Sequence, residues 1–311
     1  MSAAADEDIA AARALVRDLG LVPDAASVPV VRLGGLTNRV YRVGEGKDAV
    51  CLRIPGKGTE EYIDRRIEAV AARAAATAGV SPEVIHADPA TGIMITRFVP
   101  DAVTMTPALF ASTAGAAARA GRAFRQLHAS GALFEFRFEL FAMIDNYLAL
   151  LATKDVAFPD GYHDVLKEAE SVRAALAARP VPLAPCHCDP LAENFLDPGE
   201  RMWIVDWEYS GMNDPMWDLG DLSVEAAFGE REEEAMLAAY FGAPASAFDR
   251  GRMVIYKAMC DLLWTLWGLI QYANQNPADD FWAYSLNRFR RCRALMATPA
   301  FAASLAAVRA G

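Results

Sequence analysis

Apolar and polar residues alternate along VPVVRLGGLTNRVYRVGEGKDAVCLRIPG, residues 28–56. The alternation breaks twice, at GGLTN and at GEGKD, so the segment predicts three antiparallel strands joined by two turns. A helical period follows from about Glu60 to Ala78 and stops near Gly79. The stretch PEVIHADPATGIMITRFVP predicts a hairpin with DPATG as its turn. A strand-rich N-terminal lobe therefore closes near Phe98. From Thr106 onward the pattern is mostly helical, as in ALFASTAGAAARAGRAFRQLHASG with its terminal glycine. Pro180, Pro182 and Pro185 interrupt the chain before CHCDPLAENFL, RMWIVDWEY predicts a strand, and the remainder is again helical. The N-terminal segment MSAAADEDIAAARALVRDLGL predicts an amphipathic helix whose Asp6, Glu7 and Asp8 favour its N-terminal dipole end. There is no internal repeat and no long low-complexity linker. The expected organisation is an N-terminal lobe over residues 1–98 and a C-terminal lobe over residues 99–311.

Composition narrows the function. The 311 residues are 54% hydrophobic and 23% charged, which suits a folded protein of two lobes and excludes a disordered one. A formal net charge of -10 disfavours nucleic acid and anionic membrane, although a local basic pocket could still hold a phosphate ester. The five cysteines are an odd and sparse set, so a reducing cytoplasm is expected over a secreted disulfide framework. The acidic start does not read as a targeting peptide. No uninterrupted apolar run reaches about 18 residues, so no membrane insertion is expected.

The chemistry concentrates in CHCDPLAENFL. Cys186, His187 and Cys188 are adjacent, and three consecutive side chains do not readily face one tetrahedral zinc, so a metal knot is disfavoured. The alternative is phosphoryl transfer. His187-x-Asp189-x4-Asn194 is followed twelve residues later by Asp206 at the end of an apolar run. Such a reaction needs a carboxylate that accepts the hydroxyl proton, and an amide and a second carboxylate that hold magnesium against the phosphates.

The pair CHCDPLAENFL and IVDWEYSGMNDPMWDLGDL resembles the signatures of the choline/ethanolamine kinase family, within the aminoglycoside phosphotransferase superfamily. The resemblance runs from about Val30 to Tyr284. It implies an α+β, protein-kinase-like bilobal fold, with a small antiparallel-sheet N-lobe and a larger, mainly helical C-lobe. It also implies ATP and Mg2+ as cofactors. By that resemblance Asp189 is the base, Asn194 and Asp206 hold magnesium, and Glu208 joins them. Gly34, Gly35, Leu36, Thr37 and Asn38 would cover the phosphates through backbone N–H groups. Arg53, held by Glu68, would contact the phosphates, and the adenine would lie near the linker of Arg97, Phe98 and Val99. His187 and Asp218 are expected to brace the catalytic loop.

DWEYS is similar to the family's DFEYS-type signature, and LLWTLWGLIQ resembles its W-x-x-W helix. The resemblance makes Tyr209, Glu225, Trp264, Trp267, Phe281 and Tyr284 candidate choline contacts. Physically, a quaternary ammonium is held by aromatic faces and a carboxylate. Taken alone, the tryptophan helix also reads as plain core, and Glu225 as a solvated helix charge. Two positions depart from the family pattern: Leu191 stands where many members carry glutamine, and Glu230 where larger members carry an aromatic. The expected activity is transfer of the γ-phosphoryl group of ATP to choline, giving phosphocholine. Ethanolamine, thiamine, an aminoglycoside or another amino alcohol are alternative acceptors. A catalytically inactive kinase-like binding protein is the alternative of another class.

Overall fold

The computed structural model describes residues 3–21, 28–34, 38–56 and 63–311. Gly35, Leu36 and Thr37 of the expected phosphate-covering loop lie outside the described residues. Helix α1 (Ala3–Asp18) precedes strands β1 (Val30–Gly34), β2 (Arg39–Val43) and β3 (Val50–Ile54); α2 (Arg65–Thr77) follows, then β4 (Val84–Asp88) and β5 (Ile93–Arg97). All five strands pair antiparallel in the order β1-β2-β3-β5-β4. The alternation of the sequence is explained by one buried face. Tyr41, Val43, Val50, Leu52 and Ile95 pack there against Ala12 and Val16 of α1.

Helix α2 starts later than its period suggests. Asp64 accepts hydrogen bonds from the backbone N–H of Arg66 (2.9 Å) and Ile67 (3.2 Å), and this cap fixes the helix start at Arg65. Its apolar stripe, Ala71, Ala72 and Ala75, does not join the core of the sheet. It packs into the larger core of the C-terminal lobe.

The C-terminal lobe runs β6 (Val103–Thr104), α3 (Pro107–Ser112), α4 (Ala116–His128), α5 (Leu140–Leu151), α6 (Tyr162–Ala178), β7 (Ala184–Cys186), β8 (Phe195–Asp197), β9 (Trp203–Ile204), β10 (Gly211–Asn213), α7 (Pro215–Glu225), α8 (Glu230–Phe241), α9 (Ala247–Ala273), α10 (Phe281–Met296) and α11 (Pro299–Ala310). Two expectations need correction. The Ala-rich stretch is two helices, because the chain turns at Gly115 with φ 72°. RMWIVDWEY holds only the short strand β9, because Asp206 takes a left-handed φ of 69° and ends the extended run.

Helix α9 is the axis of this lobe and packs against α5, α7, α10 and α11. It is the one helix among the described residues long and apolar enough to cross a membrane, but 83% of its apolar window is buried in the lobe. At Gly268 it meets α10 closely. A β-carbon there would lie 2.3 Å from Ser285 Oγ and 2.6 Å from Tyr284 Cδ1, so only glycine lets the two helices approach.

Candidate active site

The catalytic loop between β7 and β8 is held by its own neighbours. Asp218, fully buried near the start of α7, accepts the backbone N–H groups of His187 and Cys188, each at 2.8 Å. It also bonds His128 Nε2 at 2.9 Å, and His128 Nδ1 meets the Tyr240 hydroxyl at 3.0 Å. The Trp217 indole N–H donates to the Cys188 carbonyl at 3.1 Å. These bonds keep Cys188 at φ 70°, a conformation that costs about 1–3 kcal/mol in a non-glycine residue. Helix α7 is itself fixed by Asp214, which caps Met216 N at 2.9 Å and accepts the Tyr256 hydroxyl at 2.9 Å.

His187 is structural here. Its Nε2 bonds the Val205 carbonyl at 2.9 Å and its Nδ1 receives the Asp189 N–H at 3.3 Å, which a neutral ring protonated on Nε2 satisfies. Burial lowers its pKa and keeps it neutral. The thiols of Cys186 and Cys188 are buried and turn to the carbonyls of Asn213 and Cys186 respectively, so the three side chains of CHC do not converge. Leu191 turns the chain: its N–H donates to the Asp189 carbonyl at 2.9 Å, and its carbonyl accepts Asn194 N–H at 3.0 Å.

Asn194 Nδ2 also donates to the Asp189 carbonyl, at 3.0 Å, and the Asn194 carbonyl accepts Val205 N–H at 2.9 Å. The Asp189 loop and the Asp206 loop are thereby tied together. Burial pushes the Asp189 carboxyl well above the usual carboxylate range, and the negative charges of Glu225, Asp206 and Glu208 add to it. A carboxyl so placed is a stronger base than one in water.

Two arginines of the N-terminal lobe cover Asp206 and Glu208. Arg53 on β3 pairs closely with Glu68 of α2 and reaches Asp206 at 3.1 Å. Arg65 pairs with Glu68 at 2.8 Å and with Glu208 at 3.1 Å. Asn38 Nδ2 donates to Glu208 at 3.3 Å. The carboxylate oxygens of Glu68, Asp206 and Glu208 lie within 4.8 Å of one another. Burial, then Asp206, pushes the Glu208 carboxyl up to about 7. A divalent cation held by Glu208 would have to displace that proton. With a pKa of about 7, the apparent magnesium affinity should therefore rise about tenfold between pH 6 and pH 8. Magnesium titration of the nucleotide-free protein, followed by tryptophan fluorescence, checks this; Glu208→Gln should flatten the profile.

The other wall of the cleft is aromatic. Tyr209 packs edge-on to Trp264 with centroids 5.3 Å apart, and its hydroxyl accepts the Trp267 indole N–H at 3.0 Å. Trp267 lies 5.6 Å from Phe281 and 5.7 Å from Tyr284. Glu225, a candidate choline contact, is not a solvated helix charge. It forms a two-pronged pair with Arg288, at 2.5 and 3.0 Å. The Arg288 guanidinium also lies 4.6 Å from the Tyr284 ring centre.

The remaining expected contacts are more peripheral. Arg97 is half-buried and turns to Glu83 at 3.5 Å, and the Phe98 ring centre lies 5.7 Å from the Arg42 guanidinium. Their backbone is tied within the N-terminal lobe, where Phe98 N–H donates to the Ala49 carbonyl at 3.1 Å and Arg97 N–H to the Glu83 carbonyl at 2.8 Å. Val99 is half-buried, and Glu230 is exposed at the start of α8. Sequence reading missed Arg65, Arg288 and Asp221. Arg65 and Glu68 are three apart on one helix, and Asp221 and Glu225 four apart on another, spacings that place each pair on a shared face.

Residues 30–256 match the phosphotransferase enzyme family. The chain belongs to the phosphotransferase enzyme family. Within it, this phosphotransferase is 64% identical to a choline/ethanolamine kinase family protein from Mesorhizobium loti, whose structure superposes with a TM-score of 0.88 over 96% of this chain and 98% of that one. It is 28% identical to the choline kinase LicA from Streptococcus pneumoniae, with a TM-score of 0.76 over 92% of this chain and 98% of that one. A structure of LicA in complex with AMP is also 28% identical, with a TM-score of 0.73 over 92% of this chain and 96% of that one. The phosphotransferase is thus a small-molecule kinase of the choline/ethanolamine kinase type, on a protein-kinase-like fold.

Proposed function

We propose that this enzyme transfers the γ-phosphoryl group of ATP to the hydroxyl of choline, giving phosphocholine. The observation that carries the reading is the aromatic wall of Tyr209, Trp264, Trp267, Phe281 and Tyr284 beside Glu225. A trimethylammonium group donates no hydrogen bond and is held by ring faces and Coulomb attraction. In the proposed arrangement Asn38 and the backbone from Gly34 onward cover the phosphates, and Arg53 and Arg65 are the cations that reach them. Asp189 takes the proton of the choline hydroxyl as its oxygen meets the γ-phosphorus in line. Glu68, Asp206 and Glu208 form an oxygen-donor set of the kind magnesium accepts. We assign magnesium to Asn194, Asp206 and Glu208, where its charge would offset that of the phosphates. The five unpaired thiols support a cytoplasmic setting.

The test is ADP release with magnesium and ATP across choline, ethanolamine, thiamine and an aminoglycoside. Choline is expected to give the highest kcat/KM. A higher value for another acceptor would replace choline in this reading, and no release with any would favour the inactive binding protein. Trp267→Ala removes one ring face and the hydrogen bond to Tyr209, a loss of about 2 kcal/mol. The KM for choline should rise roughly thirtyfold while the KM for ATP stays within about twofold.

A further inference from the structure

Beneath the aromatic wall lies a carboxyl group without a partner. Asp221, on α7 one turn before Glu225, is fully buried, and neither of its carboxyl oxygens has a hydrogen-bond partner among the described residues. Its neighbours are already engaged. Glu225 is bound by Arg288 through both oxygens. Asp261 is shared between Arg288, at 3.3 Å, and Arg291, at 2.5 Å. Three carboxyl groups thus face two guanidinium groups, and Asp221 is the one that forms no ion pair among the described residues.

Its position points to what would supply that cation. An oxygen of Asp221, an oxygen of Glu225 and Cys260 Sγ lie within 4.8 Å of one another. Cys260 is one turn before Trp264 on α9, and Trp264 forms part of the aromatic wall. The Trp264 indole N–H, on a side chain 4% exposed, also has no partner among the described residues. Both unpartnered groups lie on α7 and α9, the helices that also carry Glu225 and Trp267.

We propose that Asp221 is a second anionic group of the acceptor site, and that the ammonium head of the substrate is its counter-ion. The inference rests on the choline reading above and adds a specificity-determining residue to it. A buried carboxylate with neither donor nor counter-ion is strongly unfavourable. In the empty pocket Asp221 therefore keeps its proton. Burial first, then the charges of Glu225 and Asp189, hold it well above the usual carboxylate range, against the opposing pull of Arg288. Asp218 on the same helix adds to the rise. The remaining ionisable groups that sense it, Cys188 and Cys260 and the Tyr284 hydroxyl, are themselves held neutral by burial. Arrival of a cation reverses the balance. The acid releases one proton to solvent, and a carboxylate–ammonium pair remains. A neutral molecule of the same shape gives no such exchange.

Calorimetric titration in buffers of different ionisation enthalpy at pH 7 tests this on the full chain. Choline is compared with 3,3-dimethylbutan-1-ol, which replaces the ammonium nitrogen by carbon. The wild type should release close to one proton per choline bound and none with the neutral alcohol. Asp221→Asn, which keeps the shape of the side chain, should abolish the release and cut the preference for choline over the alcohol about tenfold. ADP affinity, measured alongside, should not change. Choline binding without proton release in the wild type, or an unaltered preference in the variant, would overturn the role of Asp221. Should choline not bind, the choline reading itself falls, and the proton count with ethanolamine decides Asp221 separately.

Discussion

Asp189→Ala is expected to reduce kcat by at least about three orders of magnitude while the affinity for ATP changes less than about threefold. Neither Arg53 nor Arg65 pairs with the Asp189 side chain, since those two engage Asp206, Glu208 and Glu68. It stands free to take a proton. Its carboxyl is raised mainly by burial, so the basic form is lost as pH falls through the raised value. Turnover of the wild type should accordingly climb with pH from the acidic side. A cation held at Asp206 and Glu208 would offset two of the charges that raise it and shift the rise to lower pH. Single-turnover rates with ATP in excess, paired with equilibrium nucleotide binding, check both statements. Near-wild-type turnover in the alanine variant would remove Asp189 from the chemistry.

Asp218→Ala should damage stability and turnover together. The substitution strands the N–H groups of His187 and Cys188 and deprives His128 Nε2 of its partner, all in a buried place. At about 1–3 kcal/mol for each of the three orphaned groups, the loss is roughly 3–9 kcal/mol. For a lobe of this size that is a fall in Tm on the order of 10 °C. The left-handed backbone at Cys188 would lose the bonds that hold it, so Asp189 would leave its position. Differential scanning calorimetry and kcat measured well below the transition separate the two effects. A variant with unaltered Tm and unaltered kcat would show that the loop is held by other means.

Much of this was legible in the sequence, for identifiable reasons. A sheet with one buried face writes a period of two, and β1 to β3 and the hairpin of β4 and β5 follow it. The spacing from Asp189 to Asn194 to Asp206 survives because each sits on a short loop whose length cannot change without moving its oxygens. The interior of the Ala-rich stretch was not legible, because alanine favours helix on both sides of a break and only the φ of Gly115 makes the turn. Asp206 was placed at a strand end, but its left-handed backbone belongs to the loop and not to any periodicity. The guanidinium partners were hidden for another reason. Arg288 is 63 residues from Glu225, and Arg65 is 143 from Glu208, so only the packing of α10 on α9 and of one lobe on the other brings them together. That packing depends on Gly268, where a single glycine sets how near Tyr284 comes to Trp267.

The two arginines that span the cleft have a mechanical consequence. They fasten one half of the molecule to the other through the same oxygens that a divalent ion would need. Whatever occupies those oxygens must slacken the fastening, and whatever draws the halves apart must bare the oxygens, by equal amounts of free energy in each direction. Ion loading and the width of the gap would then be two readings of a single equilibrium, and a bound triphosphate, by offering the freed guanidiniums new anions, would fasten the halves again.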